Sequence, residues 1–117
     1  LVSDAEKRWL YENSAAIAIP SRFEGLPTVL LEAMHSGTPV VMADVNGLGS
    51  MVERCGSGIS VPSEDHSSLA SAMTEAINAG PETASQWGSS GREASREYQW
   101  DRVTDRVLEV YRRVVEE

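Results

Sequence analysis

The chain has one cysteine, Cys55, in 117 residues. That excludes an intrachain disulfide framework and any zinc site built on two cysteines, and it fits a reducing compartment. Basic residues are also scarce. Ten Lys+Arg stand against eighteen Asp+Glu, a formal net charge of −8. A nucleic-acid binder needs a basic stripe to neutralise phosphates, and a polybasic membrane anchor needs a similar cluster, so neither is expected. No run approaches the roughly 18 unbroken apolar residues of a spanning helix, so no transmembrane segment is expected. Leu1-Val2-Ser3-Asp4 offers no basic region followed by an apolar core, and no initiating Met. It is therefore not read as a signal peptide, and the sequence reads as starting inside a longer protein. The expected location is cytoplasmic, with any peripheral membrane contact made through the absent part.

What is present suits a folded chain. An apolar share of 41% argues against global disorder, and a chain of this length buries one core rather than two. Asp4 to Asn13 reads as a helix capped by Asp4, with Trp9 and Leu10 on its apolar side and Glu6 and Lys7 toward solvent. Ala15 to Ile19, closed by Pro20, reads as a strand buried on both faces. Ser21 to Pro27 is a loop, Pro27 suits the first helical position, and Thr28 to Ser36 is a helix ended by Gly37. Pro39 to Ala43 is a second buried strand, which completes a βαβ unit with parallel strands and a right-handed crossover.

A loop from Asp44 to Gly49, a short helix near Ser50 to Arg54 and a third strand, Gly58 to Val61, follow. Asp65 caps a helix whose Leu69, Met73, Ala76 and Ile77 share a face. Ser89-Ser90-Gly91 has the composition of a flexible joint between helical flanks. Beyond Trp100, the residues Val103, Val107, Val110, Tyr111 and Val114 repeat at helical spacing. The class is α/β with a parallel, Rossmann-like sheet. Three strands are few for a doubly wound sheet and leave an edge unpaired, so further strands are expected upstream or in a partner.

Ligands of open parallel sheets bind beyond the carboxyl ends of the strands. The loops there are Pro20–Pro27, Asp44–Gly49 and Pro62–Asp65. The first places Glu24 just before a helix start, with Glu32 inside that helix. A helix start offers free N–H groups and the positive end of the macrodipole, which suits an anion. The amides available to a ligand are those of Gly25, Leu26, Thr28 and Val29, and Gly25 permits close approach. Two acids beside an anion site suit hydroxyl groups instead, because a carboxylate accepts hydrogen bonds from a vicinal diol. Together these features describe a site for a sugar nucleotide. Both glutamates also have a bland reading, as dipole complements on a solvated helix surface.

The run from Pro20 to Met34, followed by Gly37-Thr38-Pro39-Val40-Val41, closely resembles family 4 retaining glycosyltransferases of the GT-B fold. The shared pattern is a Glu, seven residues, a second Glu, Ala-Met, and then Gly-x-Pro-Val-Val. Gly47, Gly58 to Pro62 with Asp65, and Gln99-Trp100 with Tyr111 extend the likeness along nearly the whole chain. The resemblance implies that residues 1–117 are about half of the C-terminal, donor-binding Rossmann-like domain. It implies that Glu24 is the catalytic acid facing the donor sugar and that Glu32 binds the nucleotide ribose. It assigns the amides of Gly25, Leu26, Thr28 and Val29 to the sugar and phosphate.

The substrate implied is a nucleotide-diphosphate sugar, with no metal and no separate cofactor. The partners implied are the missing N-terminal acceptor domain and upstream strands, which bring an Arg and a Lys to the diphosphate. Ser50 stands where many members carry Glu, and Pro27 replaces a common Gly, removing one donor. Without the upstream cations the isolated chain is expected to be inactive. Two other readings stand beside this one: a non-catalytic partner subunit of a split glycosyltransferase, and a sugar-nucleotide epimerase of the same fold. His35 is expected in a surface or packing role, His66 in solvent at a helix start, Cys55 as a small buried residue, and Trp87 and Trp100 in helix packing.

Overall fold

A computed structural model describes residues 1–116. The elements run α1 (Asp4–Asn13), β1 (Ile17–Ile19), α2 (Thr28–Ser36), β2 (Val40–Ala43), α3 (Leu48–Cys55), β3 (Gly58–Val61), α4 (His66–Asn78), α5 (Gly80–Ser95), a 3₁₀ turn (Arg96–Tyr98) and α6 (Trp100–Glu116). The three strands form one parallel sheet in the order β1-β2-β3. The expected class and parallel βαβ unit are present.

The alternation of the central strand divides the core. Val40 and Met42 point to one face of the sheet, where Leu30, Ala33 and Met34 of α2, Val52 of α3 and Tyr11 of α1 meet them. Val41 and Ala43 point to the other, against Ala72 and Ala76 of α4, with Leu69 and Trp87 at the margin. Leu30, Met34, Met42, Val40, Val41 and Val52 are fully buried, and each large apolar side chain so placed contributes roughly 1.5–3 kcal/mol. Helices therefore cover both faces, and Trp87 packs as expected.

Local chemistry sets the helix ends. Ser3, not Asp4, caps α1. Its hydroxyl accepts from the Glu6 amide while the Glu6 carboxylate accepts from the Ser3 amide, a reciprocal capping box. Asp65 caps α4 by accepting from the Ser68 amide at 2.9 Å. Gly37 closes α2 in the left-handed region, with φ of 72°.

Several expectations need correction. First, β1 is not buried on both faces. Ile19 is buried, but Ala18 is exposed, because β1 lies at the sheet edge beside a groove that α4 only partly fills. Second, Trp9 and Leu10 are exposed and Tyr11 is the buried residue of α1, because that helix rests on the core from the side carrying Lys7 and Tyr11. Met73 and Ile77 of α4 are likewise exposed beside Ala72 and Ala76.

Third, Ser89-Ser90-Gly91 is not a joint but the middle of the continuous helix α5. Its glycines let the helix lie close to α2: a Cβ on Gly91 would stand 3.4 Å from the Cα of Met34. Composition suggested flexibility where the fold uses small residues for close approach. Fourth, Trp100 is 82% exposed and α6 buries none of its residues, so its apolar face is uncovered among the described residues. Cys55 is half-buried against the α3 side of the core rather than fully enclosed.

Candidate functional site

The three loops at the carboxyl ends of the strands meet. The Asn46 side-chain amide donates to the carbonyl of Glu24, joining the loop after β2 to the loop after β1. The Ser63 hydroxyl donates to the carbonyl of Ser21 at 3.4 Å, joining the loop after β3 to the same segment. Asn46 has φ of 51°, a left-handed conformation that Asn tolerates better than most residues. Beside these loops lies a cleft of about 280 Å³, lined by Pro20, Arg22, Pro62, Glu64, Asp65 and His66 among others.

Glu24 is half-buried, and its carboxylate accepts from the Ser21 hydroxyl at 2.7 Å. Phe23, Gly25 and Leu26 around it are exposed. Gly25 is not in the left-handed region, and an added Cβ would meet no atom within 4 Å, so the chain's own packing does not require glycine there. Helix α2 then begins after Pro27, which occupies the N-cap, one position earlier than its sequence context suggested. No side chain caps this end, which leaves the Thr28 and Val29 amides without a side-chain acceptor. Arg22 faces Glu64 at 3.3 Å, both largely exposed.

Glu32 lies further along α2 in a different setting. The Tyr11 hydroxyl donates to its Oε2 at 2.9 Å and the Lys7 ammonium to its Oε1 at 3.1 Å. The phenol's hydrogen bond, with the Lys7 contact behind it, holds the carboxyl below its ordinary pKa. Burial, reinforced by Glu32, pushes the Tyr11 phenol up to about 12. Glu24 and Glu32 thus do not share a cleft: the one lies among the strand-end loops, the other at a groove between α1 and α2.

Sequence reasoning missed Asn46, Ser63, Lys7 and Tyr11. Lys7 and Tyr11 carry the i,i+4 spacing of one helix face, but nothing in the sequence says that this face meets Glu32. Asp44 and Ser50 also pair. The Asp44 carboxylate accepts from the Ser50 amide at 3.2 Å and from its hydroxyl at 3.0 Å. His35 and His66 are exposed, as expected. Among the described residues no group of His, Cys, Asp or Glu is placed to hold a metal ion, and no helix is long and apolar enough to cross a membrane.

A parallel sheet with helices on both faces and with its strand-end loops gathered beside a helix start is Rossmann-like, the arrangement from which GT-B glycosyltransferase domains are built. Comparison with known proteins agrees. Residues 2–94 match the family described as Glycosyl transferases group 1, and the chain belongs to that family. It is 36% identical over 103 residues to D-inositol 3-phosphate glycosyltransferase of Saccharomonospora viridis, covering 88% of this chain and 24% of that protein. It is 33% identical over 113 residues to alpha-maltose-1-phosphate synthase of Mycolicibacterium smegmatis, covering 92% of this chain and 29% of that protein. Its fold is similar to sucrose-phosphate synthase from Thermosynechococcus elongatus, with a TM-score of 0.79 and 31% identity over 92% of this chain and 28% of that one. The chain spans about a quarter of the length of the curated relatives it matches.

Proposed function

We propose that residues 1–117 are the C-terminal portion of the donor-binding domain of a retaining glycosyltransferase. The complete enzyme moves a sugar from a nucleotide-diphosphate sugar to an acceptor. The missing N-terminal domain holds the acceptor, and upstream strands extend the sheet and bring cations to the diphosphate. The sugar nucleotide is the substrate, and no separate cofactor takes part.

The observation that carries this reading is the uncapped start of α2 beside Glu24. Free amides of Thr28 and Val29, with those of Gly25 and Leu26 just before them, suit the oxygens of the sugar and the departing diphosphate. They stabilise negative charge as it develops. Glu24, held by Ser21, orients the donor sugar by accepting from its hydroxyls. Glu32 accepts from the ribose hydroxyls. Gly25 is compatible with the same picture, since the space beside its Cα is open to a ligand. Arg22 already faces Glu64, so the cations for the diphosphate come from elsewhere in the protein.

The test is Glu24→Gln in the full-length enzyme, after a screen of sugar nucleotides for thermal stabilisation identifies the donor. The expected result is a fall in turnover of about a hundredfold or more, with the unfolding midpoint unchanged. Near-normal turnover refutes the role.

A further inference from the structure

We propose that Tyr11 and Lys7 are positioning residues that hold the Glu32 carboxylate ready for the ribose hydroxyls of the donor. This rests on the reading of Glu32 given above and assigns work to two residues of a different helix. The two side chains lie one helical turn apart on α1 and grip opposite oxygens of one carboxylate: Tyr11 at 2.9 Å on Oε2 and Lys7 at 3.1 Å on Oε1. Each oxygen has further lone-pair capacity, so the grip leaves acceptor sites for two hydroxyls.

The surroundings fit a held but open carboxylate. The Glu32 side chain is 38% exposed. It lines a groove of about 330 Å³ with Asp4, Lys7, Arg8, Tyr11 and His35. Tyr11, by contrast, is only 9% exposed. The hydroxyl of the buried Thr38 donates to its carbonyl at 2.6 Å and pins the end of α1 beside the end of α2. The phenol is therefore fixed by the core, and it fixes Glu32 in turn. A glutamate free on a helix surface samples several rotamers and loses that freedom when it binds. Holding it beforehand removes part of that cost, and a carboxylate kept ionised is the stronger acceptor for a diol.

The experiment compares nucleoside diphosphates with their dideoxyribose counterparts, using the uridine, guanosine and adenosine forms. Each is titrated calorimetrically into the full-length enzyme and into its Tyr11→Phe, Lys7→Gln, Lys7→Arg and Glu32→Gln variants. Tyr11→Phe keeps the ring and its packing. We expect it to weaken the ribose ligand about tenfold and leave the dideoxyribose ligand as it was. Lys7→Gln moves the same way and Lys7→Arg restores affinity. The double variant Tyr11→Phe/Glu32→Gln is no weaker than Glu32→Gln alone, because the grip has nothing left to hold. If Glu32→Gln loses ribose discrimination while Tyr11→Phe keeps it, or if the two losses add, the positioning role fails and the reading of Glu32 stands. If Glu32→Gln discriminates as the parent does, both fail.

Discussion

Gly88 of α5 packs against the backbone of Gly37, the residue that closes α2. A Cβ added to Gly88 would stand 2.4 Å from the Gly37 carbonyl oxygen. The obstacle is backbone, which cannot swing aside as a flexible side-chain end can.

Gly88→Ala is therefore expected to destabilise the chain by about 1–3 kcal/mol through overpacking. Gly25→Ala, which meets open space, is expected to leave stability within about 0.5 kcal/mol. Urea denaturation of the two variants beside the parent checks this, and equal stabilities would contradict the close approach of α5 and α2.

Acid stability should depend on the carboxylates held below their ordinary values: Glu6 in its capping box, Glu32 and Asp65. The Tyr11 hydroxyl and then Lys7 hold Glu32 below its ordinary value of 4.5, and the Ser68 amide and hydroxyl hold Asp65 below 3.8. A carboxyl whose folded pKa is depressed contributes stability that is complete above its unfolded value and is lost as pH falls through the folded one. Stability should stay level from neutral pH down to about 5 and then decline. Glu32→Gln and Asp65→Asn should each lessen the decline, as followed by unfolding midpoints across that range. An unchanged slope in both variants would count against the two pairings.

The Tyr11 phenol shows the opposite sign. Its pKa is raised from 10.0 to about 12, so its contribution is complete below the ordinary value and is lost as pH rises through the folded one. An ultraviolet phenolate titration should contain a step near 12 that Tyr11→Phe removes. In Glu32→Gln the step should move down yet remain above 10.0, because burial, the largest cause, persists.

Asn46 touches Glu24 through the main chain alone. Asn46→Ala should lower turnover of the full-length enzyme by about ten- to a hundredfold through displacement of the loop, since misplacement of about 1 Å can cost that much. Alanine at the left-handed φ of 51° costs about 1–2 kcal/mol, so the unfolding midpoint should fall by only a few degrees. Steady-state kinetics and a thermal melt on the same preparation separate the two effects.

The sheet was legible because each strand is a short apolar run stopped by Pro or Asp. Val40 to Ala43 could hardly be anything but a central strand. Glu24 and Glu32 were legible as a spaced pair around a helix start, and their family pattern was distinctive. What escaped was tertiary. The Lys7–Tyr11 grip depends on how α1 is rotated against α2, which Trp9 and Leu10 misreport. The loop ties through Asn46 and Ser63 depend on strand order, which no local pattern encodes. Ser89-Ser90-Gly91 read as flexible because composition does not distinguish a joint from a tight helix crossing.

The bare start of α2 has one more consequence. Ser3 and Asp65 cap α1 and α4 through their side chains, whereas α2, like α3 and α5, starts with no such bond. A hydroxyl or carboxylate cap is worth about 1 kcal/mol, so the βαβ unit at the centre of the fold forgoes stability at the helix end beside Glu24. A cap there would occupy the amides that a bound anion needs. On the proposed reading of the site, that forgone cap is a trade of stability for activity.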